Sequence, residues 1–170
     1  MLRISEAIVV AVIAGTGGVS AAVDMRIGRV PNVLTLSIAA LGFLLAATHT
    51  SGETLTGALA GFAVGLLLML PGHVMGATGA GDVKLFAAIG TLLGPGHIAV
   101  AFLYTAVAGG VIALLTAVGR RTLRRTIERT ATLVRTGGGN VTEIEGAADD
   151  NRFAYAPAIV LGTLAVALGL

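Results

Sequence analysis

The chain has 170 residues, of which 55% are hydrophobic and 12% are charged, with a formal net charge of +2 and a mean hydropathy of +0.93. Soluble domains carry about 25% charged residues, so this composition excludes an ordinary soluble domain and predicts a polytopic membrane protein. The sequence contains no cysteine, which excludes disulfide bonds and a cysteine-ligated zinc site.

Six apolar stretches predict an all-α membrane helix bundle with about six transmembrane helices. They cover residues 4–23, 33–48, 55–75, 83–93, 98–118 and 153–170. About 20 helical residues cross a hydrocarbon core of about 30 Å, and most of the stretches approach this length. Residues 83–93 would reach only about 16 Å before Gly94-Pro95-Gly96 breaks the chain. This stretch therefore either crosses with help from its flanks or is re-entrant.

The first stretch also has an alternative interpretation as a signal peptide. Arg3 precedes an apolar run, and Val19-Ser20-Ala21 is similar to a cleavage site with small residues. The run continues to Val23, however, and is longer than the h-region of about 7 to 15 residues in a signal peptide. The length favours a membrane helix.

The basic residues favour six crossings over a re-entrant fourth stretch. Six crossings with the N-terminus outside place ten of the eleven basic residues in the cytoplasm, Arg3 being the exception. This distribution is the one that the positive-inside rule describes, and a re-entrant stretch would divide the basic residues between the two faces. We therefore predict a multi-pass protein of the plasma or inner membrane, with Asp24 and Asp82 both on the cytoplasmic side.

Asp24 closes the first apolar stretch, at a position where a carboxylate is costly unless it is paired, solvated or used. The run Asp24-Met25-Arg26-Ile27-Gly28-Arg29-Val30-Pro31-Asn32 predicts a loop, with Pro31 suited to the first turn of the next helix. A purely structural interpretation pairs Asp24 with Arg26 or Arg29, which stabilises little when the pair is exposed.

Asp82 lies in the run Gly79-Ala80-Gly81-Asp82-Val83-Lys84, just before the fourth stretch. Glycines at positions 79 and 81 permit positive φ and a close approach of another chain segment. A purely structural interpretation makes Asp82 a helix cap after a flexible loop. Lys84 has two interpretations, since it could act electrostatically on Asp82 or guide a substrate, and the positive-inside rule alone also explains it.

The two aspartates together indicate chemistry more strongly than either does alone. Two crossings between them return the chain to the same face, and a helix bundle can then bring the carboxyl groups together. Two carboxyl groups in contact do not both ionise easily, so the pair shares a proton and titrates as a unit. The ionised member can activate a water, while the protonated member polarises a carbonyl and protonates the leaving amine. This is the chemistry of an aspartic peptidase.

At these residues the chain resembles the short-form type IV prepilin peptidases of bacteria and archaea. The resemblance is carried by three motifs in the same order, of which the first is Asp24 with Arg26, Val30-Pro31-Asn32 and Leu34-Thr35. The second is the GxGD motif Gly79-Ala80-Gly81-Asp82-Val83-Lys84-Leu85, and the third is Arg152-Phe153-Ala154-Tyr155-Ala156-Pro157-Ala158 before the last helix. Signal peptide peptidases and presenilins also have a GxGD motif, but the Pro-Asn motif after Asp24 argues against them.

The resemblance implies a membrane aspartic endopeptidase that cleaves the leader peptide of prepilin-like proteins at the cytoplasmic face. Asp24 and Asp82 would be its catalytic pair. Residues that bind substrate or support the pair would be Gly79, Gly81, Lys84, Arg26, Pro31 and Asn32. The expected partners are prepilin-like substrates and the lipid bilayer, with pilus assembly machinery as a further candidate and no nucleic acid.

The resemblance also bears on cofactors and on the type of pilus system. Long-form relatives methylate the new N-terminus through an insert with paired cysteines, and this chain has neither cysteines nor room for that insert. No cofactor is therefore expected. The size of the chain is similar to that of the peptidases of tight-adherence (Flp-type) pilus systems.

The remaining features have simpler interpretations within a single membrane domain over residues 1–170. A cytoplasmic loop at about 119–152 carries basic residues that anionic lipid would attract, then a glycine-rich linker and an acidic segment. No metal is expected, because the three histidines lack ligand spacing: His49, His73 and His97. Glycines spaced four residues apart predict close helix packing: Gly57, Gly61 and Gly65.

Two other functions remain open from the residues alone. In a small transporter or channel subunit, the two aspartates would relay protons or bind a cation. Such a relay requires acids near the middle of the bilayer, whereas Asp24 and Asp82 lie at the ends of apolar stretches, close to basic residues. In a scaffold without chemistry, both aspartates would only cap helices.

Overall fold

A computed structural model describes residues 4–27, 30–76, 78–119 and 155–170 of the chain. Its helices are α1 (Ile4–Val12), a π-helical turn (Ile13–Gly17), α2 (Gly18–Ile27), α3 (Asn32–Ala47), α4 (Leu55–Val74), α5 (Ala80–Gly119) and α6 (Ala156–Ala167). The described residues contain no strand, which confirms the predicted all-α class. The predicted loop beyond Gly119 lies outside the described residues, as do Gly28, Arg29 and the segment 152–154.

Three helical stretches among the described residues are long and apolar enough to cross a membrane. By length and composition they are Ile4–Ile27, Leu55–Val74 and Ala80–Thr116, of which the last folds back at Gly94, and two shorter apolar helices accompany them, Asn32–Ala47 and Ala156–Ala167. These helices indicate an integral membrane protein. The six crossings predicted from the sequence are not confirmed by helix length.

Helix α5 doubles back on itself at Gly94. This residue has φ 72° and ψ 174°, a conformation that only glycine adopts readily, and Pro95 follows it as the first residue of the second limb. The rings of Phe86 and Phe102 lie 6.1 Å apart between centroids, whereas 16 residues of straight helix would separate them by about 24 Å. The chain therefore turns at the Gly94-Pro95-Gly96 break that the sequence predicts.

The first limb of α5, residues 80–93, is the centre of the bundle. From Asp82 to Leu93 every residue except Lys84 is buried, because α3, α4 and the second limb surround this limb. Helix α4 packs closely on it: a Cβ on Gly61 would collide with the carbonyl oxygen of Gly90, and one on Gly65 would lie 3.1 Å from the Cα of Ala87. The small-residue packing predicted for α4 is thus confirmed at these two glycines.

Gly57 differs from the other two glycines of α4. A Cβ there would meet the side chains of Glu53 and Thr54, which precede α4, rather than another helix. Thr54 is the N-cap of α4, and its hydroxyl accepts a hydrogen bond from the Gly57 N–H at 3.0 Å. The prediction of close helix packing is therefore wrong at this position, because Gly57 lies in the capped first turn.

The π-helical turn determines which face of α2 points into the bundle. A π turn adds a residue to a helical turn, which rotates everything that follows relative to α1. Gly17, in this turn, lies against α6, where its Cβ would contact Val160 at 3.0 Å. After the turn, Ser20, Ala21 and Asp24 are buried on a common face.

Candidate active site

Four helix termini meet at one end of the bundle: the end of α2 and the beginnings of α3, α5 and α6. Close packing joins two of the predicted motifs, since a Cβ on Gly81 in the first turn of α5 would lie 3.2 Å from the Cβ of Val30, just before α3. A hydrogen bond of 3.3 Å links Asp24 in α2 to the first residue of α6. The described residues of the three motifs therefore converge in space.

Asp24 is buried, with 6% of its surface exposed. Its Oδ2 accepts a hydrogen bond from the Ala156 N–H at 3.3 Å, so it satisfies a donor at the N-terminus of α6. The positive end of the α6 dipole favours a negative charge at this place. The bonded partner is a backbone amide, and Arg26 is exposed, while Arg29, the other cation considered from the sequence, lies outside the described residues.

The loop predicted to begin at Asp24 begins later. Helix α2 continues through Arg26 to Ile27, and the next glycine after Gly18 is Gly28. Nothing in Met25-Arg26-Ile27 opposes a helix, since none of these residues has the low propensity of glycine or proline. The additional turn keeps Asp24 on a helix, where neighbouring residues determine its orientation.

Asp82 is the third residue of α5 and is 8% exposed. Its Oδ2 accepts a hydrogen bond from the Gly79 N–H at 3.2 Å, while the Gly79 carbonyl accepts from the N–H of Asp82 at 3.1 Å. An acid at the third helical position that bonds back to the N-cap amide forms half of a capping box. The capping interpretation is thus confirmed for this oxygen.

The other oxygen of Asp82 is not explained by capping. Oδ1 is buried and has no hydrogen-bond partner among the described residues. A buried polar atom without a partner destabilises a fold by about 1 to 3 kcal/mol, so such atoms are rare and need an explanation. A substrate or a water at this oxygen would supply one.

The two carboxyl groups act on each other. Asp24 and Asp82 interact electrostatically, and Asp82 also acts on Tyr155, the residue before the Ala156 amide that binds Asp24. The bundle therefore brings together the two aspartates that the sequence places 58 residues apart. Two acidic groups in a desolvated site tend to hold a proton between them.

The glycines of the GxGD motif matter because they lack a side chain, and not because their backbone conformation is unusual. Neither Gly79 nor Gly81 has a positive φ, so the positive φ that these glycines permit is not used. Gly81 instead allows the backbone of Val30 to approach α5, and a Cβ on Gly79 would lie 3.1 Å from the Asp82 carboxylate. Both glycines therefore permit close contacts at the site.

Lys84 and Asn32 join the beginnings of α5 and α3. The Lys84 ammonium donates a hydrogen bond to Asn32 Oδ1 at 3.0 Å, and both residues are exposed. Residues two apart in a helix do not face each other, so Lys84 points away from Asp82.

Pro31 is the N-cap of α3, one residue before its predicted place in the first turn. Its carbonyl accepts hydrogen bonds from the N–H groups of Leu34 and Thr35.

Tyr155 belongs to the site although sequence reasoning gave it no role. Its ring rests on Gly109 in the second limb of α5, where a Cβ would lie 2.7 Å from Cε2 and 3.1 Å from the hydroxyl oxygen. The aromatic ring thereby fixes the beginning of α6 beside both aspartates. A signal was available in the sequence, since a tyrosine precedes Ala156-Pro157, a typical helix start.

The chemistry offered by this site is that of a carboxyl pair. Among the described residues there is no group of three or more histidine, cysteine, aspartate or glutamate side chains that could hold a metal. Two buried acids beside helix N-termini can exchange a proton with a bound water and with a substrate carbonyl. The oxygen of Asp82 that lacks a partner is suited to such a contact.

Comparison with known proteins identifies the family of the chain. The sequence model of the type IV leader peptidase family matches residues 11–114, a segment that contains both aspartates and more than half of the chain. No curated protein and no solved structure matches the chain. The extent of the family match establishes that the chain belongs to the type IV leader peptidase family, and is therefore a peptidase.

Proposed function

We propose that this peptidase is an aspartic endopeptidase with Asp24 and Asp82 as its catalytic pair. The observation that carries the proposal is the presence of two buried aspartates at the same end of the bundle, with Oδ1 of Asp82 unpartnered among the described residues. Each aspartate accepts a backbone N–H through Oδ2, so the fold holds both side chains in place. These hydrogen bonds support preorganised acid and base groups.

In the proposed reaction, a water lies between the two carboxyl groups, one ionised and the other protonated. The ionised group takes a proton as the water oxygen attacks the carbonyl carbon, and the protonated group gives its proton to the carbonyl oxygen. When the tetrahedral intermediate collapses, the C–N bond breaks and the leaving amine takes a proton from the carboxyl pair. As the C=O bond re-forms, a carboxylate of the pair takes a proton from one hydroxyl of the intermediate, so the pair again holds one proton.

The proposed substrate is the leader peptide of a prepilin-like protein, cut at the cytoplasmic membrane face. Family membership supports the substrate class, and the distribution of basic residues supports the cytoplasmic orientation. Arg26, Lys84 and Asn32 are exposed around the site and are our candidates for contacts with the substrate, alongside Pro31. Gly79 and Gly81 support the pair through the close contacts described above.

The position of the aspartates argues against the transporter alternative. Asp24 lies three residues before the end of α2, and Asp82 is the third residue of α5. A proton or cation relay would need acids near the middle of the membrane. The scaffold alternative explains the two Oδ2 hydrogen bonds but not the burial of an unpartnered Oδ1.

The proposal is tested by cleavage of a co-expressed, epitope-tagged prepilin-like protein. Asp24→Asn and Asp82→Asn each keep an oxygen that can accept the backbone N–H but lose the ionisable group. We expect processing to fall at least about 100-fold in both variants, because general acid and base groups each contribute roughly 10²–10⁴-fold. The measurement is the rate of leader removal by gel shift, at matched amounts of membrane-inserted enzyme.

Glu53→Gln is the matched control. It makes the same chemical change to an acid in the loop before α4, against the Gly94 turn, and should leave processing near the wild-type rate. Unchanged processing in either asparagine variant would remove that aspartate from catalysis. Loss of thermal stability together with processing would support the scaffold alternative instead.

A further inference from the structure

A groove of about 330 Å³ opens between α3, α4 and the first limb of α5. Its polar lining consists of Asn32, Thr35 and Lys84, and its apolar lining is Leu36, Ala39, Phe62, Leu66 and Ala88. The groove is thus amphipathic. The proposed peptidase reaction does not use its apolar part.

The polar and apolar groups occupy different depths in the groove. Asn32 and Lys84 stand near the beginnings of α3 and α5, at the end of the bundle that also holds the aspartates. Ala39 lies seven residues further along α3, or about 10 Å deeper, since a helix rises 1.5 Å per residue. The groove therefore runs from a cation at the predicted cytoplasmic interface toward the hydrocarbon.

The size of the groove restricts its occupant. A helix with its side chains is about 10 to 12 Å across, which is too wide to enter a groove of about 330 Å³ between three helices. A flexible hydrocarbon chain of small cross-section can enter such a space. The volume of the groove is at the low end of the range for pockets that bind small ligands.

The charge at the mouth of the groove selects the head group. The Lys84 ammonium has three N–H donors, of which one bonds to Asn32, so it can still bind phosphate oxygens. Basic pockets between transmembrane helices on the cytoplasmic side are suited to anionic lipid head groups. We infer that this groove binds one anionic phospholipid, with its phosphate on Lys84 and Asn32 and an acyl chain along Leu36, Ala39 and Phe62.

The inference needs neither aspartate, although Lys84 and Asn32 are also our candidates for contacts with the substrate, so lipid and substrate would compete for these two residues. The apolar side chains of a protein substrate are the competing occupant, and they would not require an anionic head group. The two possibilities therefore differ in whether a lipid is retained without substrate and in whether its charge matters.

The test is native mass spectrometry of the purified protein released from nanodiscs that contain equal amounts of phosphatidylglycerol and phosphatidylcholine. Ala39→Phe fills the groove, and Ala40→Phe is the matched control, because Ala40 is the next residue of α3, is exposed and does not line the groove. Lys84→Gln removes the charge and leaves the apolar lining intact.

We expect wild type and Ala40→Phe to retain one phosphatidylglycerol, and Ala39→Phe to reduce this population at least tenfold. Lys84→Gln should reduce the preference for phosphatidylglycerol about fivefold, the effect of a single basic residue near the membrane surface. Equal retention in the Ala39 and Ala40 variants would overturn the inference, as would an unchanged head-group preference in Lys84→Gln. The Lys84 comparison decides the question if Ala39→Phe does not insert.

Discussion

The two ends of the bundle each place a carboxylate beside a glycine at a helix start, but they differ in burial. At one end, Asp82 lies against Gly79 with 8% of its surface exposed. At the other end, Glu53 is only partly buried. A Cβ on Gly94 would lie 2.6 Å from the carboxyl carbon of Glu53. Only the first end combines two acids with an unpartnered buried oxygen among the described residues.

This difference distinguishes a carboxylate that needs no function from the carboxylates that we propose take part in catalysis. A partly exposed acid keeps contact with solvent, so its presence beside a helix start needs no function. A buried acid loses its hydration and is retained when hydrogen bonds or chemistry compensate. Burial, and not proximity to a glycine or a helix end, therefore distinguishes the aspartate end, which supports the proposed catalytic pair.

The largest effect on cleavage should come from changing the contact between Gly81 and Val30, which joins the GxGD motif to the motif that begins at Asp24. Gly81→Val places a branched side chain where even a Cβ would lie 3.2 Å from the Cβ of Val30 and 3.3 Å from its nitrogen. Displacing Asp82 by about 1 Å from its partner should lower cleavage about 100-fold. Processing of a tagged prepilin-like protein measures this, with Ala80→Val as the control, because Ala80 is the exposed neighbour in the same turn. Equal processing in the two variants would show that the Val30 contact does not position Asp82.

A substitution at the opposite end of the bundle should lower the stability of the protein. Gly61→Ala puts a Cβ into the carbonyl oxygen of Gly90 and within 2.9 Å of the Gly94 backbone, so α4 must move away from the turn. We expect a destabilisation of about 1 to 3 kcal/mol, the usual range for overpacking. Thermal unfolding in detergent measures the change. Gly96→Ala is the control, because a Cβ there meets nothing within 4 Å, and an equal loss in both variants would argue against the close crossing.

A smaller effect on cleavage should follow from moving Tyr155. Gly109→Ala places a Cβ 2.7 Å from the tyrosine ring, so the ring must shift and with it the beginning of α6 that binds Asp24. We expect roughly a tenfold loss of cleavage, smaller than that of Gly81→Val because the ring can rotate away. Gly110→Ala has open space around its Cβ position and should keep the wild-type rate. Identical rates for the two alanine variants would show that the ring does not position the site.

Much of the fold could be predicted from hydropathy and breaks. The apolar stretches became helices, and Gly94-Pro95-Gly96 became the turn of α5, because glycine and proline act on the backbone locally. The end of α2 was placed too early, since a charged residue near the end of an apolar run does not by itself stop a helix. The π-helical turn at Ile13–Gly17 had no signal in the composition of the segment.

The candidate site was predicted in its residues but not in its contacts. Asp24 and Asp82 stood out because carboxylates are unexpected beside apolar stretches. The direction in which Lys84 points and the role of Tyr155 depend on which helices pack together, so local patterns did not determine them.

The sequence by itself determined the membrane class, the helical segments, the two aspartates and the family to which they belong, because hydropathy, helix breakers and short motifs are local properties. Only the tertiary structure decided that the Ala156 amide, 132 residues away in the chain, holds Asp24, and that one oxygen of Asp82 is buried without a partner among the described residues. These features follow from helix packing, in which the small residues of α4 and α5 let backbones approach and the turn at Gly94 reverses the chain. Such contacts join residues distant in sequence, and no local pattern encodes them.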